Sequence, residues 1–274
     1  MKAADFTYVK PGSVAEALVF LADPQADAMP LAGGQSLMPM MNFRLAAPGT
    51  LVDLNGVAAL RGIRVESQVV RIGAMTRYSD LAASADIVKH VPLFGMALPH
   101  IAHAAIRNRG TIGGSVALAD PAAEMPALLL ALDATIHVEG PSGQRQITVD
   151  EFFLGMYETA LAEGELVTEI AIPARKPRDR FSFYELARRH GDYAMAGVAL
   201  TAATTGSFRV AFFSVADRAI RATATETALQ SGDIQGAITA LDKLPFTGDL
   251  NAAPQTKRHL AGVALKRAVE RLAQ

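Results

Sequence analysis

Two stretches decide how this chain is read: LAGGQSLMPMMNFRLAAPGTLVDL, Leu31 to Leu54, and IRNRGTIGGSVALADPAAEMPALLLAL, Ile106 to Leu132. Each carries a glycine pair, Gly33-Gly34 and Gly113-Gly114, between an apolar extended segment and a following helical pattern. Glycine lets the backbone turn tightly and lets N–H groups approach an anion with no Cβ in the way. A loop that feeds a helix start adds free N–H donors and the positive end of the helix dipole. Ser36 and Ser115 add hydroxyls. Two such loops could grip a pyrophosphate from both sides. Two ordinary turns would read the same way, because short glycine motifs recur by chance. Neither G-x-G-x-x-G nor G-x-x-x-x-G-K-[ST] occurs, which argues against a Rossmann cofactor site and against a P-loop.

Working outward, the first stretch is preceded by a strand at Phe6 to Val9 and by a helix from Val14 to Leu21, opened by the capping pair Ser13 and Glu16. A helix over Leu37 to Leu45 and a strand over Thr50 to Leu54 follow the first glycine pair. Alternation at Ile63, Val65, Val70 and Ile72 around Ser67-Gln68 predicts a hairpin. A helical region, Asp86 to Ala105, is interrupted by Pro92 and Pro99. The second glycine pair reads as loop, and Pro121 to Leu132 as an apolar helix with proline at its start. Strands follow at Thr135 to Glu139, Gln146 to Val149 and Leu166 to Ile172. The polar run Arg175 to Arg180 marks a boundary, beyond which three strands precede a helical end. The order is mixed α+β rather than regular alternation.

Composition narrows the functions available. The chain has 274 residues, half of them apolar and 19% charged, which excludes disorder. A net charge of −1 offers no global positive field for nucleic acid. The absence of Cys excludes thiol catalysis, disulfides and an iron–sulfur cluster held by this chain's own cysteines. No apolar run approaches the ~20 residues of a membrane span, and the start of the chain shows no secretory pattern. A cytoplasmic protein is the expectation. The mean hydropathy of +0.21 is high and points to a partner-covered surface.

Other polar groups are open to two readings. Asp120 and Glu124 sit one helical turn apart. They either stabilise a helix start or accept hydrogen bonds from sugar hydroxyls. His100 and His103 lack a third ligand at metal spacing and read as ordinary histidines. Arg107 to Arg109 is either a solvated turn or charge beside a phosphate. Tyr193, within Arg188 to Tyr193, offers an aromatic face to a flat ring. No nucleophile, acid–base pair or metal motif emerges, so no catalytic residue and no metal ligand is assigned. A scaffold whose chemistry belongs to a cofactor fits better.

The two stretches, with ELVTEIAIP (Glu165 to Pro173) and RRHGDYAMAGVAL (Arg188 to Leu200) in the same order, resemble the FAD-binding medium subunit of molybdenum hydroxylases, the carbon monoxide dehydrogenase and xanthine dehydrogenase flavoprotein family. The resemblance spans essentially the whole chain. It implies a two-lobed, PCMH-type FAD-binding domain followed by a C-terminal three-stranded sheet with a helical bundle. The implied units are an N-terminal lobe over 1–55, a middle lobe over 56–174 and a C-terminal domain over 175–274. It implies non-covalent FAD, with Leu31, Ala32, Gly33, Gly34, Gln35, Ser36 and Leu37 on one side and Thr111, Gly113, Gly114 and Ser115 on the other. Both glycine loops are implied to reach the pyrophosphate and ribityl region through backbone N–H groups. Asp120 and Glu124 match the family's acidic positions, Ile101 and Tyr193 its residues near the isoalloxazine, and Leu166 a further contact. Gln35 stands where the family often has His, and Met195 where eukaryotic xanthine dehydrogenases carry a flavin-proximal Lys.

The implied role is electron transfer. A large partner chain holds the molybdenum cofactor, a small partner chain holds iron–sulfur clusters, and electrons pass through FAD here to an external acceptor. A dimer of heterotrimers is the expected assembly. Two alternatives are a stand-alone FAD-dependent reductase of related fold, which would need a proton donor that the residues do not supply, and a non-catalytic binding or assembly protein without flavin.

Overall fold

The computed structural model describes residues 2–272, so the outer limits 1 and 274 expected for the terminal units lie outside the described residues. Fourteen strands run in chain order: β1 Thr7–Val9, β2 Ala28–Leu31, β3 Thr50–Asp53, β4 Ile63–Glu66, β5 Val69–Gly73, β6 Thr135–Gly140, β7 Gly143–Thr148, β8 Phe153–Gly155, β9 Glu158–Thr159, β10 Leu166–Pro173, β11 Arg180–Ala187, β12 Ala194–Ala202, β13 Phe208–Phe213 and β14 Ile220–Arg221. They form an N-terminal parallel sheet β1-β3-β2, an antiparallel sheet β4-β5-β10-β6-β7, the small β8-β9 hairpin, and an antiparallel sheet β11-β12-β13-β14. The last sheet therefore has three long strands plus a two-residue fourth, which pairs with Ala211 and Phe212.

The parallel sheet encloses a small core of Ala17, Val52, Leu54, Val57, Leu60 and Met75. The Val14–Leu21 helix supplies Ala17, and Ser13 caps it by accepting the Glu16 N–H at 3.2 Å. A larger core fills the antiparallel sheet and reaches Ala199, Ala211 and Phe213 on the last sheet. The alternate residues Val198, Leu200, Val210 and Phe212 face a separate core with Ala261, Ala264, Leu265 and Ala268. Successive side chains point to opposite faces of a strand. A sheet covered on both faces therefore reads as a continuous apolar run, which is how Gly197 to Ala203 and Phe208 to Val215 look in sequence.

The covering helices are Glu124–Ala131 on one face and Pro254–Leu272 on the other. Every residue of Glu124–Ala131 is buried. That helix starts at Glu124, three residues later than the proline-led start expected from sequence. Pro121 to Ala123 instead form a turn, closed by the Ala123 N–H donating to the Asp120 carbonyl at 3.0 Å. The region Asp86 to Ala105 breaks into short pieces at its prolines. One helix begins at Pro92, and Leu98–His100 is a single 3-10 turn containing Pro99. The helix after the first glycine pair stops at Asn42 rather than Leu45. No helix among the described residues is long and apolar enough to cross a membrane.

Candidate functional site

The first glycine motif leaves the end of β2. Gly34 has φ +73°, a left-handed turn that a side chain would strain. Gly33 is needed for a different reason. A Cβ there would lie 2.3 Å from the Arg109 carbonyl oxygen, so this segment is packed directly on the backbone of Arg109-Gly110. Among the described residues, no protein acceptor meets the backbone N–H of Gly33, Gly34, Gln35 or Ser36. The Gln35 side chain reaches back to the Gly33 carbonyl at 2.9 Å, and Ser36 makes no capping bond with its hydroxyl. Leu31, Ala32 and Leu37 are half-buried around this run of free donors.

A polar scaffold missed by the sequence reading holds the motif from behind. The Asn55 amide donates to the Ala32 carbonyl at 3.0 Å and to Asp53 at 2.6 Å. The Tyr8 hydroxyl donates to the other Asp53 oxygen. Burial opposes the Asp53 charge, but hydrogen bonds from Tyr8 and Asn55 hold its carboxyl below the ordinary value. Arg77 completes the scaffold by donating to Asn55 Oδ1 and to the Arg109 carbonyl, the group against which Gly33 packs. The signal in sequence was the Asp53-x-Asn55 turn directly after a strand; Arg77 carried none.

The second glycine motif is built differently, and here the expectation needs correcting. Gly113 and Gly114 do not lie in a loop; they form the first turn of the helix Ile112–Leu118, with Thr111 as its N-cap. The Ile112 N–H donates to the Thr76 carbonyl at 3.1 Å and Gly113 N–H to the Ala74 carbonyl at 2.8 Å. The Gly114 N–H donates to Thr111 Oγ1 at 3.1 Å. The N–H groups of Ile112, Gly113 and Gly114 are thus engaged within the protein, while that of Thr111 meets no protein acceptor among the described residues. Gly113 permits close packing, since a Cβ would sit 2.4 Å from that of Ala74. A Cβ on Gly114 would lie 3.4 Å from that of Ala32, so the two motifs abut.

Beyond the Ile112–Leu118 helix, Ala119 turns at φ +51° into Asp120. Asp120 lies outside any helix and accepts the Ala122 N–H at 2.9 Å, while Glu124 opens the next helix. The two are therefore not one helical turn apart as expected, yet both are about 8% exposed. Burial raises the Glu124 carboxyl to about 7, with Glu185 and Asp120 adding to the effect. Tyr193 is 66% exposed, and desolvation together with the nearby Asp120 pushes its hydroxyl up to about 12. Tyr78 is buried below, and burial raises its hydroxyl despite a bond with Ser115.

Ile101 joins this wall through Arg107, whose guanidinium donates to the carbonyls of Ile101 at 2.8 Å and Ala102 at 3.0 Å. Arg107 thus braces this turn with one guanidinium nitrogen. Gly191, at φ +79°, packs on Ala102, where a Cβ would meet the Ala102 oxygen at 2.6 Å. This contact brings the Tyr193 turn beside Ile101. His100 and His103 flank the non-helical Ile101-Ala102 turn instead of sharing a helix. His100 pairs through Nδ1 with Glu185 at 3.0 Å. The Leu166 side chain lies in the N-terminal core with Val52 and Met75, against which Ala32 also packs.

The arrangement supplies a run of free main-chain donors, two buried carboxyls and an exposed aromatic face. That set suits phosphate oxygens, sugar hydroxyls and a flat ring, so the residues present fit FAD.

Comparison with known proteins gives the same answer. Residues 4–175 match the family described as "FAD binding domain in molybdopterin dehydrogenase", and residues 181–272 match "CO dehydrogenase flavoprotein C-terminal domain". The chain is 45% identical over 199 residues to 6-hydroxypseudooxynicotine dehydrogenase complex subunit alpha of Paenarthrobacter nicotinovorans, covering 73% of this chain and 67% of that one. It is 34% identical over 284 residues to caffeine dehydrogenase subunit beta of Pseudomonas sp. strain CBB1, covering 100% and 96%. Among solved structures, a chain of the carbon monoxide dehydrogenase from Hydrogenophaga pseudoflava that lacks the Mo-pyranopterin moiety superposes with a TM-score of 0.95 at 39% identity, covering 100% of this chain and 99% of that one. The chain belongs to the FAD-binding family of the molybdopterin dehydrogenases, with the C-terminal domain of the CO dehydrogenase flavoproteins.

Proposed function

We propose that this chain is the FAD-carrying, electron-transferring subunit of a molybdenum hydroxylase complex, with FAD lying across the junction of the two glycine motifs. The observation that carries this reading is the packing of Gly33 on Arg109-Gly110, which sets four unengaged N–H groups beside the second motif. Bound FAD supplies the redox chemistry, taking up electrons and passing them on. The chain's residues position it. Gly33 to Ser36 offer donors to phosphate oxygens. Glu124, held in a low-dielectric site, accepts a hydrogen bond from a hydroxyl. Tyr193 covers a flat ring next to Ile101, which Arg107 holds in place. Thr111, Gly113, Gly114 and Ser115 shape the other wall, with the Thr111 N–H free to donate.

The electron donor belongs to another polypeptide, because a chain without Cys holds no thiolate-bound cluster. A small iron–sulfur chain and a large molybdenum chain fit that need, assembled as a dimer of heterotrimers in the cytoplasm. Relatives are named for a nicotine derivative and for caffeine, substrates of unlike shape, so substrate choice is assigned to a partner chain. Mass spectrometry of the natively purified protein tests this assembly. Co-purification with both partners is expected. A lone monomer that oxidises an organic substrate with its own flavin would replace this reading with the stand-alone reductase.

A further inference from the structure

One C-terminal residue beside the proposed site has every polar group engaged. Ser214, just after β13, is 4% exposed and has φ +61°, a backbone region uncommon for a residue with a Cβ. Its N–H donates to the Pro121 carbonyl at 2.7 Å, inside the turn that joins Asp120 to Glu124. Its hydroxyl donates to the carbonyl of Ala194, the residue after Tyr193. Its own carbonyl accepts from Lys257 Nζ at 2.5 Å. Lys257 is itself 4% exposed, and its charge is met by Asp249 at 2.7 Å. A line of bonds thus runs from the Pro254–Leu272 helix through Ser214 to both the acidic turn and the aromatic turn of the site. An unfavourable backbone conformation persists only where the surroundings over-determine it, and such conformations gather at ligand sites.

We propose that Ser214 is a positioning residue, which holds the Pro121 and Ala194 carbonyls in one register and so sets the gap between Asp120 and Tyr193. The inference rests on the reading that FAD lies along this wall. Through it the Pro254–Leu272 helix contributes to flavin binding without touching the flavin.

The test is titration of the full-length apoprotein with FAD, read by dissociation constant and by visible circular dichroism. Ser214→Gly removes the hydroxyl while accepting the left-handed backbone without strain. Expected are a melting temperature close to wild type, about tenfold weaker FAD, and an altered flavin dichroism. In a Tyr193→Ala background the same substitution is expected to change FAD affinity less than twofold, because the group it positions is gone. Unchanged affinity and dichroism in Ser214→Gly would overturn the proposal. So would an equal loss in both backgrounds, or a collapse of the melting temperature, since either makes Ser214 purely structural. Failure of the wild-type chain to bind FAD would instead strike the functional reading itself.

Discussion

The two Gly-Gly pairs are the same dipeptide, each followed by a polar residue, and they do opposite things. At Gly33-Gly34 the backbone turns through φ +73° and leaves four N–H groups without a protein acceptor. At Gly113-Gly114 the N–H groups are bonded to Ala74 and Thr111, and the missing side chain lets a helix press on a strand end. One pair makes a surface for binding; the other makes the packing that holds that surface's neighbour in place. A glycine motif therefore cannot be assigned to a ligand until its backbone donors have been accounted for.

That contrast can be broken by substitution. Gly33→Val drives a branched side chain into the Arg109 carbonyl, a contact of 2.3 Å for the Cβ alone. Separation of the motifs is expected to weaken FAD by at least 100-fold, about 3 kcal/mol, in the folded fraction, with the melting temperature of the apoprotein also lowered by the overlap. Calorimetric titration reads the first and a thermal melt the second. Gly113→Ala places its Cβ 2.4 Å from that of Ala74 and should cost stability alone. The apoprotein loses about 2 kcal/mol in urea unfolding, the usual cost of overpacking, while the folded fraction keeps near wild-type affinity. Equal losses of affinity in the two variants would erase the distinction.

A smaller effect comes from Glu124. Its folded-state value of about 7 lies above its ordinary 4.5, so folding favours the protonated form. Its contribution to apoprotein stability is full below pH 4.5 and is lost as pH rises through 7. Glu124→Gln should flatten that part of the stability curve, making the variant more stable than wild type at pH 8. A hydroxyl donated to the carboxylate favours its charged form, so FAD affinity is expected to rise between about pH 5 and 7 in wild type only. A pH series of FAD titrations checks both signs. The smallest effect is that of Arg77→Gln, which unties Asn55 from Arg109. About 1 kcal/mol of FAD affinity should be lost, sharpening the claim that the first motif depends on its scaffold.

Much of this molecule is readable from residues alone, and the parts that are not share a cause. The continuous apolar runs of β12 and β13 and the Ser13 cap follow from local pattern. The Pro121 start of the apolar helix did not hold, because the Pro121 carbonyl is engaged by Ser214, almost a hundred residues away in sequence. The Arg77–Asn55–Ala32 scaffold likewise joins three segments that no local pattern links. Gly113 read as loop because glycine is a poor helix former, yet the cap from Thr111 and the contact with Ala74 override that preference.

Amide hydrogen exchange, followed residue by residue by NMR with and without FAD, tests the central claim most directly. The account predicts strong slowing at Gly33, Gly34, Gln35 and Ser36 when FAD binds, and little change at Gly113 and Gly114, which are bonded already. Slowing confined to Gly113 and Gly114, with exchange at Gly33 to Ser36 unaltered, would contradict it.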